Sequence, residues 1–371
     1  MQKVTLQKLG FRLHYYTKAD IKLLAKLTGT EVKLMKKKSV TMSDIAKAMD
    51  ISTVTVSKAL GDKDGVSEEL REKIKQKANE MGYRFSYTSK SSKEGFTFNI
   101  SIVVAKHFIN DASAFYWVMY RHIVELLQKQ NYYGILDVIS ESDQANRSMP
   151  NSVSDKKVDG VIVLGQFDDE YVSELLDLDI PVVFLDFYSS DNRTDTILSD
   201  SFFGSYMLTN YLINAGHRNI GFLGTITSTS SIQDRYLGYY KALLEKGIPL
   251  RSEWVIDDRG PEGTSYPHFD LPAQKPTAFV CNCDEAAYCL LNQLRSEGYV
   301  VPDDISIVGY DNHIYSTISN PRITTIDVDS KRMSYEAVET IIKKIRDKNY
   351  SRGRTLVTGK LIIRDSVKIL K

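Results

Sequence analysis

The sequence predicts a small all-α helix-turn-helix headpiece followed by an α/β body of two doubly wound parallel-sheet lobes. Three observations carry this. Residues 41–60 hold two short amphipathic runs of helical period joined by a tight turn. From Asn99 onward, apolar runs of strand length alternate with amphipathic helical runs, the pattern of strands covered on both faces by crossover helices. Those strands are too many for one ordinary sheet, which divides them between two lobes with a ligand cleft between.

In order along the chain, residues 1–38 are a basic extension. Ile21, Leu23, Leu24 and Leu27 suggest a short helix, and Met35-Lys36-Lys37-Lys38-Ser39 reads as a natural start. Met35 is therefore expected to be the initiator and 1–34 a leader; the alternative is a basic arm that adds phosphate contacts. Residues 39–84 form the headpiece. Ile45, Ala46 and Met49 recur at helical spacing on its first helix, Val56, Ala59 and Leu60 on its second, and Ile51 plugs the turn. Thr41 with Asp44 fits a capping box, and Ser52 is a natural N-cap. The second helix turns Thr53, Val54, Thr55, Ser57 and Lys58 outward near its start, short residues with one cation on a helix narrow enough for a major groove. On those residues alone an ordinary helical hairpin remains the alternative. A third helix is expected from an N-cap at Ser67 to about Met81, buried along Leu70, Ile74, Ala78 and Met81 and ended by Gly82.

Residues 85–97 are a polar Ser/Thr/Lys linker, and 98–371 the body. Its strands include 100–104, 135–139, 161–164, 182–185, 220–223, 278–281 and 305–308. Its helices include 118–129, 171–176, 205–215, 238–246, 285–297 and 334–348. The expected first lobe is 98–198 with 328–354, and the second 199–327 with 355–371.

The net charge of +1 conceals an asymmetry. Residues 1–34 carry 7 Lys+Arg against 2 Asp+Glu, residues 35–94 carry 13 against 9, and residues 95–371 carry 28 against 36. A basic front on an acidic body suits a protein that touches a polyanion with one end only. No apolar run reaches the length of a membrane span, and no signal core with a small-residue cleavage site opens the chain, which points to the cytoplasm. Cys281, Cys283 and Cys289 lack a companion His at metal-ligand spacing and read as reduced thiols on a buried strand and the helix after it, a partial metal site being the alternative. No metal or cofactor is expected.

The residues 40–84 resemble a known family. Val40-Thr41-Met42-x-Asp44-Ile45-Ala46, Ser52-x-x-Thr55-Val56-Ser57-Lys58-Ala59-Leu60, Val66-Ser67-Glu68-Glu69-x-Arg71 and Gly82-Tyr83 look like the DNA-binding headpiece of the LacI/GalR family of bacterial repressors. The likeness continues in order through Asp159-Gly160-Val161, Ile180-Pro181-Val182, Gly216-His217-Arg218, Arg235-x-x-Gly238-Tyr239, Pro276-Thr277-Ala278, Val301-Pro302-Asp303-Asp304-Ile305 with Gly309-Tyr310-Asp311-Asn312, and Leu361–Ser366. It implies a body similar to the periplasmic sugar-binding proteins. It implies DNA contacts from Thr41, Ser52, Thr53, Val54, Thr55, Ser57, Lys58 and Tyr83, and a hinge containing Ser89 and Ser92. The sequence departs from the family in four places: Asp50 stands where a turn glycine is usual, Phe85 where a proline is, Ser92 where a minor-groove leucine wedge is, and Cys283 where an asparagine is.

A sugar or similar polyol needs fixed donors and acceptors around its hydroxyls and an aromatic face against its ring. Asp186, Arg235 and Asp311 fall just beyond strand ends or in loops, where an α/β cleft lies, and by resemblance match the family's effector-contacting carboxylates and arginine. A loop salt bridge or helix cap is the alternative for each. Asp284 joins them, although Cys283 beside it supplies a thiol in place of an amide. Phe115 and Tyr116 are candidates to stack on a ring, with core packing the alternative; His107 reads as structural.

No G-x-S-x-G, H-E-x-x-H, G-x-G-x-x-G or phosphate-binding loop is present, so neither a hydrolase nor a nucleotide enzyme has a motif behind it. The expected function is a sequence-specific transcriptional regulator, a repressor of carbohydrate-utilisation genes, controlled by a sugar-like effector between the lobes. The alternative is a sugar-binding receptor without DNA activity. Expected partners are palindromic operator DNA, the small-molecule effector and a second copy in a homodimer, or a tetramer, with no membrane.

Overall fold

The computed structural model describes residues 40–60, 64–81, 96–109, 115–191, 193–260 and 265–370, in two compact units, a headpiece and a body. The expectations for residues 1–38, Tyr83, Ser89 and Ser92 lie outside the described residues.

The headpiece comprises α1 (Met42–Met49), α2 (Thr53–Leu60) and α3 (Glu68–Glu80). Thr41 and Asp44 form the capping box: the Thr41 Oγ1 accepts from the Asp44 N–H, and Asp44 accepts from the Thr41 N–H at 2.8 Å. Ile45, Ala46, Val56, Ala59, Ile74 and Ala78 make one small core, with Ile51, Leu70 and Met81 packed around it. Asp50 closes α1 in the left-handed region, φ 53° and ψ 46°, where its N–H bonds the Ala46 carbonyl. A Cβ is disfavoured there, and Asp meets the demand at a cost glycine avoids. Asp50→Gly is expected to stabilise this turn by up to about 1 kcal/mol, read as slower amide exchange across α1 and α2.

The body opens with β1 (Asn99–Ala105), α4 (Phe115–Lys129), β2 (Tyr133–Ile139), two short helices α5 (Glu141–Ala145) and α6 (Asn151–Ser154), β3 (Gly160–Leu164), α7 (Asp169–Leu176), β4 (Val182–Leu185) and β5 (Asp195–Ser199). Then follow α8 (Ser201–Asn214), β6 (Ile220–Leu223), α9 (Ser230–Glu245), β7 (Val255–Ile256), β8 (Ala278–Cys281), α10 (Asp284–Ser296), β9 (Ser306–Val308), α11 (Ile314–Ile318) and β10 (Thr325–Asp327). The chain ends with α12 (Ser330–Arg346), β11 (Arg354–Val357) and β12 (Lys360–Ile362).

Two parallel sheets result. The first has the order β11-β5-β4-β3-β1-β2, and the second β7-β6-β8-β9; β10 and β12 form a separate antiparallel pair. Strands such as Val161–Leu164 and Ile220–Leu223 are apolar throughout because helices cover both faces. The chain passes between lobes at Asp200, at Val328–Asp329 and at Thr358–Gly359.

The lobe boundary corrects the expectation. Residues 354–357 pair in parallel with 196–199, so β11 completes the first sheet, and residues 355–357 and Ser199 belong to the first lobe rather than the second. The pairing is anchored at its base by Asp195, a buried carboxylate that accepts from Lys344 Nζ at 2.5 Å, the Gly353 N–H at 2.6 Å and Ser351 Oγ at 3.1 Å.

Candidate functional site

In the headpiece, α2 presents the outward face. Val54 is 64% exposed, and Thr53, Ser57 and Lys58 are also exposed. Ser52 and Thr55 are engaged locally: the Thr55 N–H donates to Ser52 Oγ at 3.0 Å, and the two hydroxyls lie 2.8 Å apart. Thr41 is likewise part of its capping box. Among the described residues, Thr53, Val54, Ser57 and Lys58 are the exposed members of this set outside those local hydrogen bonds.

A buried arginine holds this face in place. Arg71, on α3, is 8% exposed and sends Nη1 to the carbonyls of Lys58 (3.4 Å) and Ala59 (3.3 Å) and Nη2 to Val66 (3.5 Å). It satisfies carbonyls of the last turn of α2, which no helix hydrogen bond can reach. Its role was not visible from its charge, which resembles that of any surface arginine on an amphipathic helix.

In the body, the loops after β4 and β9 and the N-terminal ends of α4 and α9 meet between the lobes. Asp186 follows β4 with φ 69°, a left-handed backbone that places its carboxyl toward Tyr116, whose hydroxyl donates to Oδ2 at 2.9 Å. Tyr116 is seated by Gly165, where a Cβ would come within 2.9 Å of Phe108 and 3.2 Å of Tyr116. Phe115 is half-buried, its ring 5.5 Å from that of Tyr116. From the other lobe, Arg235 on α9 donates Nη1 to the Asn282 carbonyl at 2.7 Å and Nη2 to Asp311 Oδ1 at 3.4 Å. Its guanidinium lies 3.9 Å over the Tyr310 ring. Tyr310 in turn reaches Ser199 Oγ at 3.5 Å and the Asp200 carbonyl at 3.4 Å, at the first crossover between lobes.

Of the expected effector residues, Tyr116, Asp186, Arg235 and Asp311 converge. Phe115 packs against the body's core, the alternative given for it, and Asp284 is the other exception. It has no exposed surface, its Oδ2 accepts the His313 N–H at 2.6 Å, and a Cβ on Gly309 would fall 2.2 Å from its Oδ1. It lies in the floor under Asp311 rather than on the cleft wall. Burial, then the nearby Asp311, push its pKa well above the usual carboxylate range. Cys283 is the N-cap of α10, and burial raises its thiol to about 12.

Several cleft residues were not singled out by the sequence reading. Asp258 and Arg259 form a pair beside the cleft; Asp258 also accepts from Asn282 Nδ2 at 2.7 Å and the Thr225 N–H at 2.8 Å. Further contacts join the lobes directly: the Ser230 N–H donates to Gln166 Oε1 at 2.7 Å, the Tyr188 hydroxyl donates to Asp234 Oδ1 at 3.1 Å, and Arg354 pairs with Asp234 at 3.6 Å. Arg354 lies 4.4 Å over the Tyr188 ring.

Burial raises the Asp186 pKa to about 6, opposed by Arg235 and the Tyr116 hydrogen bond. The unfolded chain releases that proton near the ordinary aspartate value of 3.8. Between those values the folded state binds more protons, so Asp186 costs stability as pH rises from about 4 to about 6. Asp186→Asn is expected to flatten this fall, its melting temperature gaining on the parent protein's across that window in thermal unfolding at stepped pH.

Residues 41–86 match the model of bacterial regulatory proteins of the lacI family, and residues 209–367 that of a periplasmic binding protein-like domain. The HTH-type transcriptional repressor PurR of Pasteurella multocida is 31% identical over 338 residues, covering 88% of this chain and 98% of its own. The chain belongs to the lacI family. Among solved structures, the Lac repressor dimer bound to operator and the anti-inducer ONPF shares the fold, with TM-score 0.65 and 19% identity over 89% of this chain and 100% of that one. The transcriptional regulator CelR in complex with cellobiose does so with TM-score 0.63 and 22% identity over 88% of this chain and 99% of its own. As a lacI-family member the protein is a DNA-binding transcriptional regulator with a helix-turn-helix headpiece and an effector-binding body. The PurR relatives are repressors rather than enzymes. No described helix is long and apolar enough to cross a membrane, and no cluster of metal-ligating residues occurs among the described residues.

Proposed function

We propose that this regulator is a cytoplasmic repressor of carbohydrate-utilisation genes that binds a palindromic operator as a homodimer and is controlled by a sugar-like effector between its lobes. The observation that carries the effector reading is the convergence of Tyr116 and Asp186 from one lobe with Arg235 and Asp311 from the other. Carboxylate oxygens to accept from hydroxyls, an arginine to orient them and aromatic rings beside them are what a polyol requires. The fold relative CelR binds cellobiose, which supports a sugar over other small molecules.

Effector closure acts on DNA by a coupling free energy between two sites, typically about 1–3 kcal/mol and reciprocal. The route runs from Arg235 through Tyr310 to Ser199 and Asp200 at the crossover. A homodimer would cover Tyr133 and Val138 on the edge strand β2 and Ile314 and Ile318 on α11, all exposed apolar side chains.

A gel-shift titration on the protein's own promoter, with and without a panel of sugars, tests the reading; no operator binding in either condition would refute it. On the DNA side, Thr53 and Val54 set base preference, and Lys58 favours guanine through its O6/N7 edge. Lys58→Ala is expected to cost about 1–3 kcal/mol on the preferred operator and little on a variant with that guanine replaced. An equal loss on both would make Lys58 a phosphate contact.

A further inference from the structure

We propose that the effector carries a protonated amine, as an amino sugar does, seated against the open carboxylate oxygens of Asp186 and Asp311. This rests on the reading of the cleft as a sugar-like effector site and narrows its ligand chemistry.

The first argument is the charge count. Asp186, Asp258 and Asp311 face two cations, Arg235 and Arg259. Arg259 is committed to Asp258, with Nε at 3.1 Å from Oδ2 and Nη2 at 2.8 Å, and also reaches Asn282. Arg235 is committed to Asp311 and the Asn282 carbonyl. One carboxylate is therefore left over, and Asp284 beneath brings no cation to offset it. Of the other titratable neighbours, His313 bears on Asp311 as a further positive influence beside the two arginines. His107 is held below its usual pKa, chiefly by burial. His313 lies next to Asp311, beyond Asn312, with its backbone N–H on Asp284. Asp234, adjacent to Arg235 on α9, is matched by Arg354.

The second argument is geometric. Asp186 accepts one side-chain hydrogen bond among the described residues, from Tyr116 to Oδ2, and Asp311 one, from Arg235 to Oδ1. Among the described residues no hydrogen bond reaches Asp186 Oδ1 or Asp311 Oδ2. The two carboxylates come from opposite lobes; Asp311 lies near enough to oppose the ionisation of Asp186, and Arg235 favours the charged form of both. Closing the lobes on a neutral polyol would leave an uncompensated negative charge where water has been expelled, which is costly. An ammonium supplies three donors and the missing charge together. An anionic sugar phosphate would face the same excess with the same sign.

The test uses the full-length protein and isothermal titration calorimetry at pH 7.5. The probes are D-glucosamine, D-galactosamine, D-mannosamine and chitosan-derived di-glucosamine, each beside its N-acetylated and hydroxyl counterparts. At least one amine is expected to bind tenfold or more tightly than both its counterparts. That preference is expected to shrink at least tenfold in Asp186→Asn and in Asp311→Asn, with thermal unfolding checking that each variant is folded. It is also expected to weaken as pH is lowered through about 6, where Asp186 takes up a proton. A neutral sugar that binds as well as its amine overturns the amine assignment and leaves the sugar-effector reading intact. Binding by none of the panel overturns both.

Discussion

Replacing Arg235 with alanine abolishes the effector response and lowers the stability of the body by about 3–5 kcal/mol, the usual result of breaking a buried ion pair from one side. Arg235 is 7% exposed and stands between the lobes' carboxylates, so its removal leaves Asp311 without its partner and Asp186 without the charge that opposes its burial. The Asn282 carbonyl loses a 2.7 Å donor, and Tyr310 loses the guanidinium stacked over it. The loss has two readouts. Thermal unfolding reports the stability, and the absence of a ligand-dependent shift reports the effector site. Arg235→Lys is expected to recover part of the stability but not the response, because an ammonium cannot make the flat, forked contacts to Asn282, Asp311 and Tyr310 at once. A variant with the parent's melting temperature and ligand shift would show that Arg235 does neither job.

Arg71→Ala should have the largest effect on DNA binding of any change away from the reading face. The headpiece core is small, and a unit of this size holds its fold with little to spare. Without Arg71 the carbonyls of Lys58, Ala59 and Val66 lose the side chain that reaches them, at about 1–3 kcal/mol for each buried group left unmade. We expect operator binding to fall at least a hundredfold on all sequences, while effector binding by the body is unchanged. Lys58→Ala, by contrast, changes which sequence is preferred. Selective loss on one operator in Arg71→Ala would mean that the guanidinium itself touches DNA.

The strands that could be read in advance are those whose burial makes them uniformly apolar, such as Val161–Leu164, Val182–Leu185 and Ala278–Cys281. β5 opens on Asp195, whose carboxylate serves Lys344 and the backbone near Gly353, so its polar start hid a strand. β11, Arg-Thr-Leu-Val, is an edge strand with exposed positions and lacks the apolar run. The site divides in the same way. Asp186 and Asp311 stand out as charges just past apolar runs, where a parallel sheet exposes its loops, and Arg235 as a charge after a Ser/Thr-rich loop, although it lies on α9. Tyr310 stood out only as part of the stretch Gly309-Tyr310-Asp311-Asn312, and only the folded chain brings Arg235 over its ring. The burial of Asp284 followed from Gly309, a neighbour 25 residues away that has no side chain to keep it out. Such long-range packing leaves no local trace.

The late return of the chain to both lobes has a consequence for synthesis. β11 closes the first sheet and β12 pairs with β10 in the second lobe, so both lobes wait for residues 354–362 to leave the ribosome. The three described helices of the headpiece are complete once residue 80 has emerged. Each new molecule therefore possesses its DNA-reading unit long before its sensor, and during that interval the half-built sheets expose apolar faces that depend on pairings far apart in sequence. An interrupted message that stops short of β11 yields a finished headpiece tethered to an unfinished receiver, a product that chaperones and proteases must remove.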